Sequence, residues 1–322
     1  MKKLLLVSIV LVAFGILFLT FPHTALAMSG NGTVGSPFVI TNITEFQGIN
    51  GNLSANYVLG NDIDASDTVN WNLGSGFVPI GDLIGGRLFT GSLNGRGHKV
   101  YNLYIDMSNP YPFTAIFDNN HGVIQDIGFT NVSITCQNQV AFGFIGENAG
   151  SIVDCYITGV VCSPFGPLLS GFSLYNSGGS ITHCYSACNL TTSSPYGTAY
   201  GFCFGNSGAI TSCYWDVNIS GTTQSDGGSG NTTSEMQQQS TYVGWDFSNT
   251  WYFSPGHYPQ LEPFIPIPTP SPFNKSILVA VAVVWICIGL LFMLANAEEG
   301  IFVMVIIVLL VIAGVAAIVP FL

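Results

Sequence analysis

Five ionisable residues in the first third of the chain are of the types that acid–base chemistry needs. Asp62 and Asp64 alternate along the chain, so they would share one face of a β-strand, and Arg96, His98 and Lys99 follow further along. Carboxylates beside a cation on one outer face are the groups that polysaccharide-cleaving enzymes use. We interpret these residues as parts of turns. A catalytic site built on Asp62, Asp64 and Arg96 is the alternative.

Cysteines recur at regular intervals in the middle of the chain. One series is spaced by 29 residues and the other by 26: Cys155, Cys184 and Cys213, then Cys136, Cys162 and Cys188. Such spacing could serve a metal site, a redox pair or a structural repeat. A column of stacked cysteines is a poor tetrahedral zinc cage, and the sequence contains no C-x-x-C motif. We therefore predict no metal and no cofactor.

A repeat explains the cysteine spacing. Similar segments follow Gly122, Gly150, Gly179 and Gly208, at intervals of 28, 29 and 29 residues. Each unit holds two or three short strand-like stretches, which cannot bury an apolar face alone but can do so when stacked. We predict a parallel β-helix with one coil per repeat and about seven coils over residues 36–230, since a propeller blade needs about 40 residues.

The repeat assigns a role to each position. Leucine and isoleucine occupy the cysteine position in earlier units, so we expect one inward-facing column: Leu103, Ile127, Cys155, Cys184 and Cys213. The preceding column is polar and suits a corner between strands: Asn102, Asp126, Asp154, His183 and Ser212.

Cysteines on neighbouring coils would lie within the Cα–Cα range of a disulfide. Residues 28–274 contain seven cysteines, so not all of them can pair within one chain. We expect at most two bonds. One would join Cys184 to either Cys155 or Cys213, and the 26-residue series has the same option.

Two flanking regions and the repeats between them carry a family resemblance. NYVLGNDIDAS (56–66), FTGSLNGRGHKVYNL (89–103) and the aromatic-rich region 213–261 resemble the GLUG-repeat family of bacterial and archaeal surface proteins. The resemblance implies a right-handed parallel β-helix at a cell surface, in a family whose members are often adhesin-like. It implies no catalytic residue, and paired membrane helices are not a usual feature of that family.

Both ends of the chain are strongly apolar. Residues 1–27 combine two lysines, an apolar run and an Ala-Leu-Ala site, which predicts a secretory signal peptide, with an uncleaved anchor as the alternative. Residues 276–295 and 301–319 contain no charged residue and are long enough to span a bilayer, so we predict a transmembrane hairpin over 276–322. A buried soluble hairpin is the alternative.

Three further segments lie between these ends. We predict the β-helix over 28–230, a C-terminal cap over its open end at 231–262, and an extended proline-rich spacer at 263–275. The aromatic residues of the cap segment also suit a binding platform, which is the alternative.

The predicted exported part is strongly acidic. Residues 28–274 contain fifteen acidic and three basic residues, a net charge of −12, which disfavours nucleic acid and anionic lipid as partners. N-x-[ST] motifs predict glycosylation of an exported chain. They lie at Asn31, Asn42, Asn52, Asn131, Asn189, Asn218 and Asn231, with an eighth at Asn274.

The sequence therefore predicts an all-β protein, a parallel β-helix held outside the cell by an integral membrane hairpin. We expect a non-enzymatic role in adhesion or envelope interaction, with surface glycans or other envelope proteins as partners. A membrane-tethered, polysaccharide-cleaving enzyme is the alternative. In a third hypothesis the hairpin is an oligomerising module and the solenoid its outer domain.

Overall fold

The computed structural model describes residues 28–107, 113–137 and 140–263. This part of the chain is an all-β parallel β-solenoid of about four turns. Its strands in chain order are β1 (Phe38–Ile40), β2 (Asn56–Leu59), β3 (Ile63–Asp64), β4 (Ser92–Asn94), β5 (Lys99–Tyr101), β6 (Tyr104–Met107), β7 (Phe113–Thr114), β8 (Phe117–Asn120), β9 (Val123–Cys136), β10 (Val140–Phe142), β11 (Ile145–Asn148), β12 (Ser151–Cys162), β13 (Leu168–Ser170), β14 (Ser173–Asn176), β15 (Ser180–Thr182), β16 (Tyr185–Thr191), β17 (Thr198–Tyr200), β18 (Cys203–Asn206), β19 (Ala209–Thr211), β20 (Tyr214–Asp216), β21 (Ser229–Asn231), β22 (Trp251–Tyr252) and β23 (Gln260–Leu261). The short α-helices are α1 (Ile43–Gln47), α2 (Val217–Ser220) and α3 (Thr233–Met236), and the 3₁₀ turns are Gly48–Gly51, Ser66–Asn70, Asn72–Gly74 and Gln239–Thr241.

Parallel pairing between neighbouring coils builds three sheets. Sheet A has thirteen strands along the path β1-β2-β4-β9-β12-β16-β20-β21, while sheet B (β7, β10, β13, β17) and sheet C (β8, β11, β14, β18) have four each. Cys155 lies opposite Ile127 and Tyr156 opposite Tyr185, so the predicted repeat of about 29 residues is the perimeter of one coil. The coils number about four rather than seven, because β1–β6 all belong to sheet A and contribute no strand to sheets B and C.

Apolar side chains fill the interior of the coils. Ile127, Cys155 and Cys184 are fully buried, which confirms that their column faces inward. A phenylalanine series runs along the same interior, with ring centroids 5.0 Å apart for Phe144 and Phe172 and 4.6 Å apart for Phe172 and Phe202. At the first coil, Phe46 of α1 packs against this core, so the α1 region covers the N-terminal end of the solenoid.

The polar column forms the predicted corner. Asp126, Asp154, His183 and Ser212 all have left-handed backbones, with φ between 48° and 54°. Short polar side chains tolerate this conformation better than bulky apolar ones, because they can hydrogen-bond locally. The turn therefore explains why a polar residue precedes each buried position of the inward column.

The expected alignment of the first unit is wrong. Tyr104 lies opposite Ser133, which places Leu103 beside Val132 and Asn102 beside Asn131, not in the cysteine column or its polar neighbour. Asn102 and Asn131 form a second left-handed corner, and the Asn131 Nδ2 donates to the Asn102 Oδ1 at 2.7 Å. The first coil carries extra residues around Gly95–Gly97, and these shift its register.

The segment 232–262, hereafter the strap, does not close the open end. It lies along the outer face of sheet A, where Tyr156, Tyr185 and Tyr214 project outward, and it forms a second apolar cluster with them. The last coil is instead followed by residues 217–231, whose β21 pairs with β20 and whose Asp226 N–H donates to the Cys203 carbonyl. The outward tyrosines explain the difference, since an aromatic outer face needs cover as much as an open end does.

The predicted signal peptide at 1–27 and the predicted spans at 276–295 and 301–319 lie outside the described residues. Within residues 28–107, 113–137 and 140–263, no helix is long and apolar enough to cross a membrane.

Candidate functional site

The structure brings Asp62 together with His98 and Lys99. Asp62 and Asp64 are exposed on either side of buried Ile63. The Asp62 Oδ1 lies 3.0 Å from the His98 Nδ1 and accepts from the Lys99 backbone N–H at 3.3 Å, and the Lys99 Nζ is 3.8 Å from Oδ2. These contacts join β3 to the turn before β5, which is a structural arrangement.

Asp64 and Arg96 do not complete a catalytic constellation. The Asp64 Oδ1 accepts from the Ser66 backbone N–H at 3.0 Å and from the Asn102 amide at 3.2 Å, and the Ser66 hydrogen bond lowers the pKa of Asp64. A carboxyl group with a lowered pKa is a poor general acid. Among the described residues Arg96 makes no ion pair with either carboxylate, and its own N–H is held by Asn94 at 2.6 Å.

The two cysteine series have different outcomes. Cys155, Cys184 and Cys213 stack in one buried column, and burial raises the pKa of the Cys184 thiol well above its ordinary value. The structure holds these three as thiols, and their pairing in the oxidised protein stays a prediction.

The expected second ladder is wrong. Cys162 lies opposite Thr135 and Thr191, and Cys188 lies opposite Gly159, because a 26-residue spacing falls short of the coil perimeter. Cys136, Cys162 and Cys188 therefore do not share a column.

Six of the seven described sequon asparagines are exposed, and Asn231 is half-buried. Three of the exposed ones, Asn31, Asn52 and Asn189, accept a hydrogen bond at 2.7–3.1 Å from the hydroxyl two residues later. Asn42 caps α1 through the Glu45 N–H instead. Exposure is compatible with the predicted glycosylation, and Asn274 lies outside the described residues.

The strap uses its aromatic residues internally. The Trp251 indole donates to the Asp154 Oδ1 at 2.9 Å, the Tyr185 hydroxyl donates to the Pro259 carbonyl at 2.9 Å, and the Tyr258 hydroxyl donates to the Asp216 Oδ2 at 2.6 Å. Because Trp251 is almost fully buried, these rings hold the strap in place and do not form an open platform.

The strap meets a cluster of titratable groups in the corner column. The His183 Nδ1 lies 3.4 Å from the Asp154 Oδ1 that also receives the Trp251 indole. Burial raises the pKa of Asp154 and of Asp126 one coil earlier. Among the described residues no three His, Cys, Asp or Glu side chains converge on a metal position.

Sequence reasoning missed two features. Asn120, Asn148, Asn176 and Asn206 form a ladder along the coils, with each Nδ2 donating to the next Oδ1 at 2.7–2.9 Å. Their spacing of about one coil was the available signal. The second feature is a cleft of ≈ 650 Å³ beside the first coil, lined by Gln47, Asn50, Gly51, Trp71, Asn72, Val78 and Arg87. A smaller depression of ≈ 220 Å³ lies on the strap, between Tyr252 and Gln260.

Comparison with known proteins finds one curated relative by sequence. The chain is 33% identical over 143 residues to halomucin of Haloquadratum walsbyi, a match that covers 41% of this chain and 2% of that protein. No family model matches the chain, so the resemblance to GLUG-repeat proteins stays a prediction.

Among solved structures, the fold is similar to a candidate immunoglobulin A1 protease from Bacteroides ovatus. The two share 17% sequence identity with a TM-score of 0.45, over 72% of this chain and 94% of that one.

Proposed function

We propose that this chain is a membrane-anchored cell-surface protein that presents its β-solenoid for adhesion or envelope interaction. The observation that carries the proposal is the 33% identity to halomucin over 143 residues. The match spans a small part of that protein, so what transfers is a solenoid segment suited to a surface protein. Surface glycans and other envelope proteins are the partners we propose.

Two predictions from the sequence support membrane anchoring. The apolar runs at 276–295 and 301–319 are each long enough to cross a bilayer. The prolines between 263 and 275 would keep the intervening chain extended at about 3 Å per residue, which separates the solenoid from the membrane surface.

A non-enzymatic role agrees with the chemistry of the described residues. The similarity to halomucin points to a surface protein rather than an enzyme. The alternative, a polysaccharide-cleaving enzyme, needs Asp62, Asp64 and Arg96 to act together. In the structure Asp62 pairs with His98 and Lys99, while Asp64 is engaged by backbone and amide donors.

Protease shaving of intact cells tests the proposal. An exposed loop around Tyr196 offers a cleavage position on the solenoid, since that side chain is 86% exposed. With an epitope tag inserted in this loop, we expect protease added to intact cells to remove the tag signal, while a cytoplasmic marker survives. A tag that survives on intact cells and disappears only after lysis would contradict the surface location.

A further inference from the structure

The cleft beside the first coil has a rigid floor whose polar groups are already satisfied. The Gln47 side-chain amide makes two hydrogen bonds to the Val78 backbone, at 2.8 and 2.9 Å. The Asn50 amide binds the Pro79 carbonyl at 2.8 Å and the Gly81 N–H at 3.0 Å. Four hydrogen bonds therefore fix the shape of the floor before any ligand arrives.

The groups that remain free in the cleft are donors. One Arg87 Nη donates to the Asn50 carbonyl at 2.7 Å, but among the described residues Arg87 makes no ion pair with a carboxylate. A guanidinium has five N–H donors, so most of its capacity is unused. None of the described residues accepts a hydrogen bond from the Trp71 indole N–H, and none of the seven lining residues is acidic. An unpaired cation is unusual in a region of net charge −12.

The rim of the cleft is strained and apolar. Asn72 and Leu73 both have left-handed backbones, with φ of 51° and 59°, and the Leu73 side chain is fully exposed. A left-handed leucine costs about 1–2 kcal/mol, and such outliers concentrate at functional sites. Val78, which lines the cleft, is 44% exposed. The aromatic face of Trp71 thus lies beside apolar rim residues and a free cation.

We propose that this cleft binds a carboxylate-bearing saccharide of the uronic acid type. The carboxylate would accept two hydrogen bonds from the Arg87 guanidinium, a geometry that arginine favours, and the sugar ring would pack on Trp71. The volume of ≈ 650 Å³ falls in the range of small-ligand sites. The proposal rests on the proposed surface function, since it names the class of glycan that an exported solenoid would meet.

Titration calorimetry on the purified full-length protein in detergent-containing buffer tests the inference. The probe is a galacturonic acid trisaccharide, and the matched ligand control is the same trisaccharide with its carboxyls methyl-esterified. We expect the acid to bind and the neutral ester to bind at least tenfold more weakly, because a charge-assisted pair contributes about 1.5–3 kcal/mol, or roughly ten- to a hundredfold. Measuring at about 0.15 M salt screens the overall negative charge beyond about 8 Å but leaves the direct contact.

Variants locate the site. Arg87→Gln should weaken binding at least tenfold, Arg87→Lys should lie between it and the wild type, and Trp71→Phe should weaken binding severalfold while it keeps most of the packing. Arg96→Gln is the matched control, since it removes a second arginine outside the cleft, and it should bind like the wild type. Unchanged far-ultraviolet circular dichroism shows that each variant is folded.

Three outcomes would overturn the inference. These are no binding of the acid trisaccharide up to about 10 mM, equal binding of acid and ester, or wild-type affinity in Arg87→Gln. Tighter binding of a short glutamate peptide than of the trisaccharide would also overturn the saccharide class. None of these results bears on the shaving experiment, so the surface location stands or falls separately.

Discussion

Replacing Asp118 by asparagine tests the electrostatics of the solenoid wall. The Asp118 Oδ1 is buried without a hydrogen-bond partner among the described residues, while the Ala115 backbone N–H donates to the carboxyl group. Burial, with a further contribution from the negative charge of Asp82, raises the pKa of Asp118 to about 8. The folded protein therefore holds a proton at this position near neutral pH, and the unfolded chain does not.

The sign of the effect follows from linkage. A carboxyl group whose folded pKa lies above its unfolded value stabilises the fold fully below the unfolded pKa, and this stability is lost as pH rises through the folded pKa. From pH 5 to pH 8 the unfolded chain is deprotonated here and the folded chain is mostly protonated. At about 1.4 kcal/mol per pH unit, the free energy of unfolding should fall by about 4 kcal/mol across this interval. Asp126 and Asp154, whose pKa values are also raised, act in the same direction.

Denaturant titration at pH 5, 6, 7 and 8 measures this slope. Asp118→Asn keeps an acceptor for the Ala115 N–H but cannot titrate, so it should match the wild type near pH 5 and exceed its stability by several kcal/mol at pH 8. Asp226→Asn, which replaces an exposed carboxylate, is the control and should keep the wild-type slope. A wild type whose stability is flat or rises from pH 5 to pH 8, or an unchanged slope in Asp118→Asn, would refute the reasoning.

Three further predictions concern the strap, the strained rim and the thiols. Trp251→Phe removes the indole hydrogen bond to a buried carboxylate and should lower the free energy of unfolding by about 2 kcal/mol, whereas Tyr252→Phe next to it should change it by less than about 0.5 kcal/mol in the same denaturant titration; equal effects would contradict the anchoring role. Leu73→Gly relieves a left-handed leucine and should raise the melting temperature, by about 1 kcal/mol in stability after the entropy cost of glycine, so a loss would contradict the strain. Iodoacetamide should modify half-buried Cys162 in the native protein well before Cys184, whose thiol is fully buried and has a raised pKa, and mass mapping that shows equal rates would contradict the burial.

The repeat and its inward column were predictable from residue spacing. Isoleucine at 127 and cysteine at 155 and 184 share a position because each coil returns to the same point after 28 or 29 residues. The same rule explains the failure of the 26-residue cysteine series, which comes back to a different point on the perimeter. The first coil escaped prediction because its extra residues move Leu103 into a different column, and nothing local in the sequence marks that shift.

The course of the strap and the cleft depends on long-range packing. The tyrosines at 156, 185 and 214 alternate with buried residues, which signals that they point outward, but not which segment covers them. Trp251 meets Asp154 across 97 residues, and Gln47 meets Val78 across 31. Such pairings follow from the folded arrangement of coils and have no local pattern in the chain.

Labelling by a membrane-impermeant maleimide tests the central claim, that the solenoid lies outside the cell and is held by a membrane hairpin. In a background with Cys162→Ser and Cys287→Ser, one variant carries Tyr196→Cys on the exposed solenoid loop and another carries Glu298→Cys in the turn between the predicted spans. The account predicts labelling of Tyr196→Cys on intact cells and labelling of Glu298→Cys only after lysis. Protection of Tyr196→Cys until lysis, with Glu298→Cys labelled on intact cells, would contradict it.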